Sequence, residues 1–212
     1  MKLYIYDHCP FCVRARMILG LKNIAVEQIV LLDNDHETPI RMIGKKMLPI
    51  LEKDDGSYLP ESLDIVHYID QLSEEKYASG VLSSEIETWS KAVSSTVYKL
   101  VTPRFVETDF PEISTNAARE AYIERTTKNY GDLAELRKET HTLLIELAPQ
   151  MSLLDMWLEK RRDVIDINDF YIFPTLRSLS IVADLAFSTN IRNYMEKMSQ
   201  LTKVGLLFDQ AK

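Results

Sequence analysis

The chain has 212 residues, 46% hydrophobic and 27% charged, a balance that fits a folded globular protein and excludes disorder over most of its length. Its 25 basic and 32 acidic residues leave a net charge of −7, so no overall positive field recruits nucleic acid or an anionic membrane. Only two cysteines occur, Cys9 and Cys12, too few for the disulfide framework of a small secreted protein or for a four-thiolate metal site within one chain.

Lys2 to Tyr6 alternates with a period of two and is rich in Tyr and Ile, which predicts a short buried strand. Asp7 and His8 interrupt it before any secretory leader could form, and no apolar run approaches the roughly 20 residues of a spanning helix, so a cytoplasmic protein is expected. Pro10 suits a first helical position, and Val13, Met17, Ile18 and Leu21 follow at helical spacing up to stop signals at Gly20 to Asn23. Val26 to Leu32 reads as a second strand. Thr38-Pro39 reads as an N-cap and first residue of a short helix ended by Gly44. Pro49 to Glu52 and Ser57 to Leu59 flank the turn signal Asp54-Asp55-Gly56 and predict a hairpin. Ser62 then opens a helix with Leu63, Val66 and Ile69 on one face and Ile65 beside them. The order is βαβ followed by αββα, which requires a mixed sheet covered by helices.

Beyond Leu72 the pattern changes. Ser84 with Glu87 reads as a capping box, and Ile86, Trp89, Val93, Val97, Leu100 and Val101 recur at helical spacing. Asn116 to Tyr130, Leu133 to Leu147 and Leu153 to Lys160 read as further helices, with Pro149 as a break. Asp166 with Asp169 forms another capping pattern ahead of Ile167, Phe170 and Phe173, and Arg192 to Ser199 predicts a last helix. The expected division is an α/β domain over residues 1–72, a linker over 73–83 and an all-helical domain over 84–212.

The chemistry lies in His8-Cys9-Pro10-Phe11-Cys12, at the first strand-to-helix junction. A sulfur at a helix N-terminus faces free N–H groups and the positive end of the helix dipole, which favours the thiolate of Cys9. Cys12, one turn later, lies beneath it, so Cys9 is the expected nucleophile and Cys12 the resolving thiol. Half of a zinc site, a cluster shared between two chains with glutathione as co-ligand, and two inert cysteines are the alternatives. Lys45, Lys46, Arg14, Arg16 and Lys22 are candidates for a local positive rim or for ordinary solvated charge.

Cys9-Pro10-Phe11-Cys12 after an N-terminal strand resembles a glutaredoxin active site, and the βαβαββα order is similar to the thioredoxin fold. Leu48-Pro49 resembles the cis-proline corner of that fold, and Glu61-Ser62 followed by Ile65 is similar to the element with which glutathione transferases hold the γ-glutamyl end of glutathione. With the helical second domain, the whole chain resembles the bacterial glutaredoxins built on a glutathione transferase architecture. The resemblance implies a glutathione-dependent thiol–disulfide oxidoreductase acting through Cys9 and Cys12. Glutathione would be the reducing co-substrate, held by Pro10, Phe11, Leu48, Pro49, Glu61 and Ser62, with no metal. The implied partners are glutathione and disulfide-containing or glutathionylated proteins, with no nucleic acid and no membrane, and the expected state is a monomer.

Each element has a physical reading. A cis bond at Leu48-Pro49 would turn the Leu48 backbone toward a bound peptide, pairing it like an extra strand. The helix start at Ser62 offers N–H groups to a carboxylate while Glu61 takes an ammonium group. Glutaredoxins more often carry Tyr where this chain has Phe11, so the stacking wall remains without its hydroxyl. Two other functions are considered: a glutathione-binding scaffold module, and a transferase acting on small electrophiles with Tyr4 or Tyr6 near the site.

Overall fold

The computed structural model describes residues 1–212. The first strand β1 (Lys2–Ile5) leads into α1 (Pro10–Leu21), β2 (Glu27–Val30), α2 (Glu37–Ile43), β3 (Ile50–Glu52), β4 (Tyr58–Pro60) and α3 (Ser62–Asp70). Strand order is β2-β1-β3-β4, with β1 parallel to β2 and antiparallel to β3, and β3 antiparallel to β4. This is the mixed sheet that the pattern of one crossover and one hairpin requires. The hairpin closes where Asp54-Asp55-Gly56 predicts it: Gly56 takes φ +78° and donates to the Lys53 carbonyl.

A helical domain follows, with α4 (Ser84–Phe105), a 3₁₀ turn (Pro111–Ile113), α5 (Asn116–Tyr130), α6 (Leu133–Lys138), α7 (Thr140–Lys160), α8 (Asp169–Leu179), α9 (Thr189–Thr202) and a last 3₁₀ turn (Phe208–Gln210). Its core gathers Trp89, Val93, Leu100, Leu147, Leu154 and Ile172 among others. The second core is shared between the two halves. Leu3, Ile5, Cys12, Met17, Ile65 and Ile69 are sealed by Ile167, Phe170 and Phe173 at the start of α8, and by Met198 and Val204 at the end of α9. No helix is long and apolar enough to cross a membrane.

Several helix ends fall elsewhere than the sequence patterns place them. Asp35, three residues ahead of Thr38, accepts the Thr38 N–H at 2.9 Å, so α2 starts at Glu37 and Thr38 lies inside it. Ser83, not Ser84, caps α4: its hydroxyl accepts the Ile86 N–H, and Ser84 is already helical. Glu61 occupies the cap position of α3, so Ser62 is the first helical residue. The expected break at Pro149 is absent and α7 runs through it; the break comes at Glu139. Pro149 sits on the exposed face, where the carbonyl it leaves unpaired meets solvent, while Leu143, Leu147, Met151, Leu154 and Leu158 keep the opposite face buried. The Asp166 pattern holds: Asp166 Oδ1 accepts the Asn168 N–H at 2.8 Å and Asp169 Oδ2 accepts the Asp166 N–H at 2.9 Å. The last helix is longer than Arg192 to Ser199 by three residues at each end.

The junction of α1 with α9 is closed by an absence of side chain. A methyl group added at Gly20 would lie 1.7 Å from the Thr202 carbonyl oxygen, closer than any atom pair tolerates. Gly20→Ala is therefore expected to force the two helices apart and to lower stability by at least about 2–3 kcal/mol, read as a fall in the urea midpoint. An unchanged midpoint would show that α9 is not seated against α1.

Candidate active site

Cys9 occupies the cap position of α1 with an extended backbone (φ −72°, ψ 122°), followed by Pro10 as the first helical residue. Its carbonyl accepts the Val13 N–H at 3.0 Å, while its side chain makes no capping bond to the backbone. The sulfur is thus free at the positive end of the helix. Both thiols are unbridged, Cys9 half-buried and Cys12 buried. The Cys12 thiol beside it is the main cause that lowers the Cys9 pKa, to about 6. Burial opposes the fall, while the nearby His8 and the N–H groups at the helix start favour it. Burial pushes Cys12 well above the usual thiol range, and the neighbouring Cys9 sulfur pushes the same way. The Tyr6 N–H, just beyond β1, approaches Cys12 Sγ at 3.4 Å.

A cleft of about 360 Å³ opens over Cys9 between the two domains. Cys9, Pro10, Phe11, Arg14, Lys46 and Leu48 line one side; Val97, Tyr98, Tyr122, Arg125 and Tyr130 of the helical domain are on the other. Three cations face this cleft and no carboxylate lines it, although the chain as a whole is acidic. Arg14 is held in place by a 2.8 Å bond to the Phe170 carbonyl and lies over the rings of Phe11 and Tyr171. Arg125 is anchored to Asp33 Oδ1 at 2.6 Å and Lys46 to the Asp33 carbonyl.

Of the residues expected from the sequence, Cys9, Pro10, Phe11 and Leu48 share the cleft. Cys12 lies beneath Cys9, and the Leu48-Pro49 bond is cis. The Leu48 N–H has no partner within the protein. Glu61 and Ser62 do not line the cleft. They follow β4, whose register sets Pro60 against Ile50, so the chain at Glu61 runs beside Pro49. Glu61 has φ +66° and ψ 120°, a conformation uncommon outside glycine, and its carboxylate is 3.2 Å from Lys45 Nζ. Among the other basic candidates, Arg16 pairs with Asp7, and Lys22 is tied to Asp70 at 3.1 Å, so neither faces the cleft. Tyr4 bonds Glu52 at 2.7 Å, away from the cleft; Tyr6 lines it.

Sequence reasoning misses the helical wall and the contacts that hold it. Asp33 meets Arg125 across 92 positions, and His8 meets Glu112 across 104, pairings that no local pattern encodes. One signal exists: a carboxylate inside the apolar stretch Phe110-Pro111-Glu112-Ile113. No group of three or more His, Cys, Asp or Glu side chains converges as a metal site.

Alkylation of Cys9 is expected to follow a titration midpoint near pH 6, with Cys12 unreactive until far higher pH. Cys12→Ala removes the neighbouring thiol and should move the Cys9 midpoint upward, toward the ordinary value of about 8.5. A midpoint that stays put in Cys12→Ala would refute the Cys12 thiol as the main cause.

Residues 85–211 match the family model described as the C-terminal domain of glutaredoxin 2, and residues 3–77 match that of the N-terminal domain of glutathione S-transferase. Glutaredoxin 2 of Escherichia coli strain K12 is 42% identical over 214 residues, covering all of both chains. The crystal structure of glutaredoxin 2 from Salmonella typhimurium in complex with glutathione superposes with a TM-score of 0.95 at 42% identity, covering 100% of this chain and 98% of that one. Gtt2 of Saccharomyces cerevisiae shares the fold at a TM-score of 0.62 and 20% identity, covering 97% of this chain and 100% of its own.

Proposed function

The chain belongs to the glutaredoxin 2 family, a glutathione-dependent thiol–disulfide oxidoreductase of thioredoxin-like and helical domains, and from that premise we propose that its chemistry runs through Cys9 and Cys12. The observation that carries this reading is the placement of two unbridged thiols, with the half-buried Cys9 sulfur at the open N-terminus of α1 and the buried Cys12 one turn beneath it. On a glutathionylated protein, the Cys9 thiolate attacks the glutathionyl sulfur and the protein thiolate leaves and takes up a proton. The Cys9–glutathione disulfide is then attacked by a second glutathione thiolate, which releases oxidised glutathione and returns Cys9 as the thiolate. On a protein disulfide, Cys9 forms a mixed disulfide, Cys12 gives up its proton and attacks the Cys9 sulfur, and the substrate leaves as a dithiol. Two glutathione molecules then supply the two electrons that reopen the Cys9–Cys12 disulfide. A low-pKa thiolate is a good leaving group, so the same tuning that activates Cys9 speeds its release. Potentials of roughly −200 to −230 mV for glutaredoxins make glutathione a competent reductant.

Glutathione fits the cleft as a peptide laid against Leu48, whose free N–H and cis bond to Pro49 offer a strand-like edge. Pro10 and Phe11 form the wall near its sulfur, and the absence of lining carboxylates suits its two carboxylates. The γ-glutamyl end would reach the start of α3, where the N–H groups and hydroxyl of Ser62 meet its carboxylate and Glu61 exchanges Lys45 for its ammonium group. The division at residues 73–83 belongs to this reading, supported by the lack of regular structure between Asp70 and Ser84. So do disulfide-containing and glutathionylated proteins as substrates, the cytoplasm as the compartment and a monomeric state, which light scattering would test.

Cys9→Ser is expected to abolish both reactions, whereas Cys12→Ser should keep deglutathionylation and lose reduction of protein disulfides. Deglutathionylation by Cys9→Ser would overturn the assignment, and conjugation of small electrophiles by that variant would favour a transferase. Ser62→Ala should raise the KM for glutathione about tenfold, the loss of one hydrogen bond to a charged group; an unchanged KM would place the γ-glutamyl end elsewhere.

A further inference from the structure

His8, the residue before the nucleophile, is bonded twice to a carboxylate from the other domain. Glu112 Oε1 accepts the His8 backbone N–H at 2.9 Å and meets His8 Nδ1 at 2.5 Å. Glu112 is fully buried. It sits on the 3₁₀ turn Pro111–Ile113, whose Glu112 carbonyl accepts the Asp33 N–H at 2.8 Å, so the turn is fastened after β1 and again after β2. Around the imidazole stand Tyr6 in a parallel stack at 5.8 Å, Tyr122 edge-on at 5.3 Å, and Phe105 and Phe110. The second oxygen, Oε2, is buried with no partner. An ionised, half-satisfied carboxylate in an aromatic cage costs stability compared with an apolar side chain of similar size. Burial alone gives no reason for it.

We propose that Glu112 is a positioning residue for the dithiol. From the helical domain it fixes the backbone entering α1 and holds the His8 ring beside Cys9, so that the helical domain takes part in setting the reactivity of the nucleophile. This rests on Cys9 as the nucleophile. The contacts are charge-assisted hydrogen bonds of short length, which hold the ring in one orientation. His8 favours the Cys9 thiolate, and the bonds from His8 keep Glu112 ionised against the opposing effect of burial. The titratable groups facing this pair are Tyr6 just after β1, Cys9 at the cap of α1, Cys12 within α1, and Tyr122 from α5. Asp33, Arg125 and Arg177 act from farther out. The tyrosines are all held protonated by burial, so they contribute no charge near neutrality.

Glu112→Gln keeps an oxygen acceptor for the backbone N–H and removes the charge. It is expected to raise the Cys9 alkylation midpoint by about one pH unit, as the ring beside Cys9 loses its carboxylate partner and fixed orientation, with circular dichroism unchanged. In a His8→Asn background the same substitution should produce no further rise, since Glu112 acts through the ring. An unchanged midpoint in folded Glu112→Gln, or an undiminished rise in the His8→Asn background, would overturn the proposal. Should Glu112→Gln fail to fold, the unmutated protein decides. A protected His8 Nδ1 proton must appear in nitrogen–proton NMR and be perturbed when Cys9 is alkylated, and its absence or indifference to alkylation overturns the proposal. Alkylation reads the thiolate without turnover, so this result is separable from failure of the oxidoreductase reading, which the activity of Cys9→Ser decides.

Discussion

A sulfur charge held half out of water needs compensation, and the rest of this structure is arranged around supplying it. Removing a thiolate from solvent raises its pKa unless donors replace the lost hydration. Here the Cys12 thiol and the positive end of α1 favour the charge, and the opposing effect of burial on Cys9 is overcome rather than avoided. Cys12 is sealed in the core, which keeps its thiol protonated. The two thiols are thus driven apart in acidity by their mutual proximity and by a difference in exposure.

That seal is made by both domains. The core beneath Cys12 includes Phe170 and Phe173 from α8 and Met198 from α9, so α1 is held on its outer side by the helical domain. The contact is close at Gly20, where a carbonyl of α9 occupies the space that a side chain would fill. Polar groups lock the same interface. Buried Arg177 of α8 donates to the Asp7 carbonyl at 2.8 Å and to the Gly205 carbonyl at 2.8 Å, and Arg14 of α1 donates to Phe170. The helices after residue 84 are therefore not an appendage. They close the core under Cys12, wall the cleft above Cys9 and bring Glu112 to His8.

How far the sequence could be read depended on the range of the interaction concerned. The hairpin at Asp54-Asp55-Gly56, the helix Asn116–Tyr130 and the Asp166–Asp169 capping pattern all rest on residues within a few positions of one another. The capping side chain lies three residues before Thr38 and one before Ser84, because several Asp, Ser and Thr side chains compete for the same free N–H groups. Pro149 misleads for a different reason: its cost depends on which face of α7 is wet, and that is set by the packing of α4, whose Trp89 donates to the Gln150 carbonyl.

By itself the sequence determined the two thiols at a strand-to-helix junction, the βαβαββα order and the helical remainder, since helix dipoles, turn residues and apolar periodicity act between neighbours in the chain. The tertiary structure alone decided what faces those thiols. The Arg125–Asp33 anchor and the grip of Glu112 on His8 are contacts between distant segments. Such pairings leave no period in the sequence, because each becomes favourable only after the domains have closed and excluded the water that would otherwise satisfy the same polar groups.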